Sequence, residues 1–174
     1  EVRNLASKLT LTIVAIAVLA PSVARCEKPS ADGPLHAYVA REDDTYQWKE
    51  RQAGEVAGVE FVELTLYSQT WRDIVWKHQL FIIKPQEITA PQQAILLISG
   101  GGWKPELEAP VEGKPQLPGE AAVMAQAAKA SGSVVALLTH VPMQPIFDGK
   151  VEDQIIAYTF EQAMKTGDYE WPLL

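Results

Sequence analysis

Cysteine is almost missing from this chain. Among its 174 residues only Cys26 is present, so no internal disulfide framework can form and a folded domain must rest on its apolar core. A basic excess is missing as well: 15 Lys and Arg stand against 22 Asp and Glu, for a formal net charge of −7. Without a basic stripe to meet phosphates, the composition argues against a nucleic-acid partner. No run of like charge is long enough to serve as an interaction tail, so the acidity reads as a solvated surface. Internal repeats and low-complexity tracts are also lacking. The three histidines, His36, His78 and His140, lie far apart and none belongs to H-E-x-x-H, so no metal is called for. Finally, no G-x-S-x-G occurs, and none of Ser7, Ser22, Ser30, Ser68, Ser99, Ser131 and Ser133 is expected on a strand-to-helix elbow.

What is present begins with a leader-like segment. Arg3 and Lys8 precede an apolar stretch over residues 9–20, which Pro21 ends. That stretch is well short of the roughly 20 residues a spanning helix needs, and Ser22 and Ala24 supply small residues at −3 and −1 of a cut after Ala24. Residues 1–24 therefore read as a signal peptide, with an uncleaved anchor or a plain hydrophobic start as alternatives. Its removal takes away Glu1, Arg3 and Lys8 and leaves a net charge of −8. The expected location is secreted or periplasmic, with no stable membrane span after cleavage. Lipidation at Cys26 is disfavoured, because Arg25 stands where a small residue is wanted.

Residues 25–36 are rich in turn formers and read as a linker, which leaves 37–174 as the domain. Over residues 59–67, Val62, Leu64 and Leu66 alternate with Glu63 and Thr65, which predicts a half-buried strand. A second strand over 76–83 puts Trp76, His78, Leu80 and Ile82 on one face, joined to the first by a hairpin or meander. Residues 94–98 and 134–138 are continuous apolar runs, which suits strands covered on both faces, as in parallel sheets. Between them, residues 120–130 are rich in strong helix formers and stop at Ser131-Gly132. A last helix over 151–165 places Ile156, Phe160, Ala163 and Met164 on one face, with Gly167 at its end. The expected order is β, β, β, α, β, α. The chain stops over residues 168–174, where a further strand is expected. That stop reads as truncation, since a four-strand sheet ending there would leave a central edge uncovered.

The chemistry-bearing feature is Ser99-Gly100-Gly101-Gly102-Trp103 at the end of the third expected strand. Open α/β sheets bind ligands at that end. Glycines there let backbone N–H groups approach a developing oxyanion, and one such donor contributes roughly 3 to 4 kcal/mol of transition-state stabilisation. The other reading is that the glycines only turn the chain. A dinucleotide fingerprint fails because Pro105 takes the third glycine place, and a phosphate loop fails because Glu108 stands five residues before Gly113 and Pro115 follows Lys114. No cofactor is expected. Asp43-Asp44 and Glu152-Asp153 read as surface pairs, or as helix N-terminal charge for the second. His78 and His140 read as hydrogen-bonded structural residues, His140 with added interest at the end of the fourth strand.

The stretches Tyr46-Gln-Trp48, Ser68-Gln-Thr-Trp-Arg72, Ser99-Gly-Gly-Gly102, Gly132-Ser-Val-Val135, Val141-Pro-Met-Gln-Pro145, Glu152-Asp-Gln-Ile-Ile-Ala-Tyr-Thr159 and Thr166-Gly-Asp-Tyr-Glu-Trp-Pro-Leu173 occur in this order. Together they resemble the PhoPQ-activated pathogenicity-related protein family over nearly everything after residue 35. The resemblance implies an α/β-hydrolase-type sheet with an antiparallel start and a parallel βαβ unit, export, and a serine elbow further along. On that basis this chain is the N-terminal portion of such a domain, truncated before the elbow, without a catalytic triad and inactive alone. Gly101, Gly102 and Trp103 are the oxyanion candidates. The expected function is an exported serine hydrolase acting on an ester or amide bond of a small-molecule or peptide substrate. The alternative is a secreted binding or signalling protein on the same scaffold without catalysis.

Overall fold

The computed structural model describes residues 33–173. The leader and Cys26 lie outside the described residues. Among those described, α1 (Pro34–Val39) leads into three antiparallel strands, β1 (Gln47–Val56), β2 (Val59–Trp71) and β3 (Ile74–Pro85). Then follow β4 (Ala94–Ile98), a 3-10 turn over Pro105–Glu108, α2 (Gly119–Ser131), β5 (Val134–Thr139) and α3 (Asp153–Thr166). The five strands form one open sheet in the order β1-β2-β3-β5-β4. Only β4 and β5 run parallel. The fold is therefore mixed α/β with a mostly antiparallel sheet.

The expected strands and helices are all present, and β2 and β3 are longer than expected. They meet in a two-residue turn at Arg72 and Asp73, whose φ values of 47° and 64° give the positive twist a tight hairpin needs. Two elements had not been expected. The strand β1, Gln-Trp-Lys-Glu-Arg-Gln-Ala-Gly-Glu-Val, carries no apolar alternation and forms because it pairs with β2 along its whole length. The helix α1 falls partly within the expected linker.

One face of the sheet carries Val59, Phe61, Phe81, Ile83, Val135 and Leu137, which pack on Ala121, Ala125 and Ala128 of α2. Small alanines let the helix lie close to the strands. Gly132 caps α2 in the left-handed conformation, φ 62°. On the other face Trp71, Trp76, Ile146 and Ile155 form a second cluster. The C-terminal segment docks beside it, with Arg72 paired to Asp168, the Trp71 indole N–H donating to the Glu170 carbonyl at 3.1 Å, and the Arg72 guanidinium 4.0 Å above Trp171.

Three expectations from patterning are corrected. The run 94–98 is not covered on both faces: all five residues of β4 are exposed, because β5 lies between it and β3, and α2 lies over β2, β3 and β5. The face of α3 carrying Ile156, Phe160 and Met164 is exposed, while Ile155 and Thr159 are the buried positions. In β2 the polar residues point inward, Glu63 being 2 % and Thr65 0 % exposed.

Glu63 can be buried because its oxygens are answered. In β1 a bulge sets both Arg51 and Gln52 against Glu63, since pairing passes from Glu50 with Leu64 directly to Gln52 with Glu63. Arg51 forms an ion pair with the carboxylate, Gln52 Nε2 donates to it at 2.5 Å, and Gln79 Nε2 donates from β3 at 2.8 Å. Removing one partner of such a buried pair strands the other charge. Glu63→Ala is expected to destabilise the folded chain by about 3–5 kcal/mol. Glu60→Ala, which breaks the exposed pair with Lys84, should cost below about 1 kcal/mol. Urea unfolding of both variants checks the contrast, and equal losses would contradict it.

Candidate functional site

Parallel pairing of β4 and β5 brings their C-terminal ends to one rim, and the loops that follow are laced together by backbone hydrogen bonds. Ser99 donates to Leu138 at 2.9 Å, His140 to Gly100 at 3.2 Å, Val141 to Ser99 at 3.1 Å and Trp103 to Gln144 at 2.6 Å. The Trp103 N–H is thus spent on the Gln144 carbonyl. Of the three expected oxyanion donors, Gly101 and Gly102 make no backbone donation among the described residues. Gly101 has φ 135°, and a Cβ built on it would lie 2.9 Å from His140 Nδ1. Conformation and space therefore both require glycine here.

His140 sits beneath the loop with the Trp103 ring edge-on, centroids 5.6 Å apart at 89°. Its tautomer follows from the buried network. The carboxylate of Glu63 only accepts, so the Gln79 amide turns its NH₂ to Glu63 and its Oε1 to His140. His140 Nε2 lies 3.3 Å from that oxygen and must carry the proton. Nδ1 is then a bare lone pair, buried without a partner, and the neighbouring Thr139 hydroxyl is likewise buried and unpartnered. A cavity of about 240 Å³ opens on this rim between Gln79, Ser99, Gly100, Glu120, Thr139 and His140. Free amides at Gly101 and Gly102, beyond the lining of this cavity, can stabilise negative charge on a bound oxygen, whereas His140 adds no donor there because its ring proton is directed at Gln79.

His78 lies on the opposite face of β3 from Gln79 and is fully engaged. Its Nδ1 donates to the His140 carbonyl at 3.0 Å, and its Nε2 lies 3.0 Å from Ser68 Oγ. Burial lowers both histidines below their ordinary value of 6.5. The other expected residues remain apart: His36 is exposed on α1, Asp43 accepts from the Thr45 and Thr70 amides, and Asp44 and Asp153 are exposed. Glu152 at the N-terminus of α3 takes the side chain of Gln144, a buried residue that also holds the Glu152 amide at 2.8 Å. Arg51, Gln52, Glu63, Gln79 and Gln144 had not been expected near the site. Only Glu63, between Val62 and Leu64, and Gln144, between Met143 and Pro145, leave a trace in the sequence, as polar residues between apolar neighbours. No group of three side chains able to hold a metal ion converges among the described residues.

A family model described as PhoPQ-activated pathogenicity-related protein matches residues 35–174, most of the chain. The chain belongs to that family. Neither a curated protein nor a solved structure matches it. The PhoPQ-related match covers the glycine loop, the buried Glu63 network and the Ser68 and His78 pair alike. All the geometry above therefore lies inside the family region.

Two outcomes follow from this geometry. Gly101→Ala forces a strained φ and pushes against His140, with an expected cost of about 1–3 kcal/mol and a displaced His140 imidazole signal by NMR. The second concerns pH. A histidine lowered in the folded state takes up its proton more readily once unfolded, so its stability contribution is complete above 6.5 and is lost as pH falls below it. The urea midpoint should fall between about pH 7 and pH 5, and His140→Gln should flatten that part of the curve. An unchanged slope in the variant would contradict the assignment. Asp43, Glu108, Glu161 and Asp168, whose carboxyls are lowered by their hydrogen-bond partners, titrate below this window.

Proposed function

We propose that this chain carries the opening part of an exported serine hydrolase, acting on an ester or amide bond of a small-molecule or peptide substrate. The single observation that carries the reading is the glycine loop at the C-terminal end of the parallel pair, where the Gly101 and Gly102 amides make no backbone donation among the described residues. Further support comes from the strand order, in which an antiparallel β2-β3 start is followed by a β4-α2-β5 crossover that sets β5 between β3 and β4. An α/β-hydrolase sheet opens with that arrangement. In this reading Gly101 and Gly102 donate to the oxyanion and Trp103, bonded to Gln144, fixes the loop. Nucleophile, acid and base come from an elbow and loops beyond the described residues, and residues 1–24 direct export to the periplasm or the exterior. No helix among the described residues is long and apolar enough to cross a membrane.

The test uses the natural full-length protein. It should turn over short-chain nitrophenyl esters, lose that activity to a serine-directed phosphonate, and lose roughly 100-fold or more in kcat when the Gly101–Gly102 loop is replaced by alanines in a protein that still folds. Folded protein with no turnover and no covalent adduct would overturn the enzymatic reading in favour of a secreted binding or signalling protein on the same scaffold.

A further inference from the structure

Ser68 is the extra residue of a second bulge. Pairing between β2 and β3 passes from Tyr67 with Lys77 directly to Gln69 with Trp76, so Ser68 has no partner in the ladder. The bulge turns its hydroxyl to His78, Oγ to Nε2 3.0 Å. The His140 carbonyl can only accept, so His78 Nδ1 carries the ring proton and Nε2 is a lone pair. Ser68 must therefore be the donor. A hydroxyl that donates to an imidazole, itself oriented by a third group, is the arrangement of an activated nucleophile, with a backbone carbonyl standing where a carboxylate more often does.

Two cavities flank this pair, one lined by His78 and the other by Ser68. One, of about 400 Å³, is walled mainly by apolar groups, Trp76, Leu138, Val141, Pro142 and Ile155, with His78 among them. The other, of about 270 Å³, includes the polar residues Ser68, Tyr38, Arg41 and Thr70. Gln69 lines both. Trp76 is 4 % exposed, and its indole N–H is buried without a partner. An indole N–H only donates, and a buried donor left unpaired in a native fold calls for an explanation. A ligand oxygen in the apolar cavity would supply it.

We propose that Ser68, with His78 as its base, is a nucleophile that accepts the acyl group of a small ester whose acyl chain is apolar. The Ser68 proton passes to His78 Nε2 as Oγ bonds to the acyl carbon, and the carbonyl oxygen takes the Trp76 N–H. The ester C–O bond then breaks and the leaving alkoxide takes the proton from His78. Water attacks the acyl-serine, gives a proton to His78 and releases the carboxylic acid, after which the proton returns to Ser68. Burial keeps His78 neutral around neutral pH. The inference is independent of the glycine-loop reading.

The full chain is incubated with a fluorophosphonate, in which Ser68 Oγ displaces fluoride from phosphorus, and the adduct is located by peptide mass spectrometry. The expected result is an adduct on Ser68 that is absent from Ser68→Ala in protein that still unfolds cooperatively. His78→Gln should slow it by about 100-fold or more, and Trp76→Phe should slow it too. In the unaltered protein the rate should hold through pH 6.5, because burial keeps His78 unprotonated below the ordinary histidine value. No adduct at Ser68 in folded protein, or an adduct that forms equally fast with His78→Gln, would each overturn the proposal. An adduct confined to another serine of the natural full-length protein would overturn this proposal while supporting the elbow.

Discussion

A carboxylate taken out of water must be met by donors, and in this fold the meeting of Glu63 joins parts of the chain that are otherwise distant. Arg51 reaches it from the β1 bulge and goes on to donate to the Ala109 carbonyl at 2.9 Å, while Gln52 exchanges hydrogen bonds with the backbone of Gln116 at 3.0 and 3.1 Å. The long connection between β4 and α2, broken by Pro105, Pro110, Pro115 and Pro118, has little regular structure of its own and is held to the sheet by these two side chains together with Thr65, Tyr67 and Lys77, which bond to Leu107 and Glu108. On the other side Gln79 passes the constraint to His140, and His140 sits under Gly101. One buried charge thereby sets the register of β1, the course of the connection and the proton position at the rim. Such a group is retained at a desolvation cost that apolar residues would avoid, which makes arrangement rather than stability its contribution.

The elements with strong local signals were legible in the sequence. Alanine-rich α2 with its terminal glycine, and β5 with its continuous apolar run, are found where the residues put them, because propensity, capping and burial agree there. The strand β1 was not legible, since a polar sequence becomes a strand only when β2 offers it a ladder. The reading of β4 failed for the opposite reason: an apolar run has the same composition whether neighbours cover it or not, and only the strand order decides. In β2 the alternation was visible but its sense was not, because a buried Glu63 looks like a solvated one until Arg51 and Gln52 are seen beside it.

The site shows the same division. The glycine loop stood out as a sequence motif, and φ 135° at Gly101 with the close His140 gives one of those glycines a physical reason. Spacing could not tell which amides are free, for the Trp103 amide is taken by Gln144, more than forty residues along in the chain. The roles of His78 and Ser68 were equally hidden, because they depend on the course of β2 past Tyr67 rather than on residue type.

That course has a consequence for insertions and deletions. Tyr67 pairs with Lys77 and Gln69 with Trp76, so a chain shortened by Ser68 alone would close the ladder without a break and leave Gln69, Thr70 and Trp71 opposite their present partners. Trp71 would keep its place against Trp76 and Ile155. The ladder thus gives no reason to carry a residue at that point, and what the extra residue adds is the hydroxyl that meets the buried His78 Nε2.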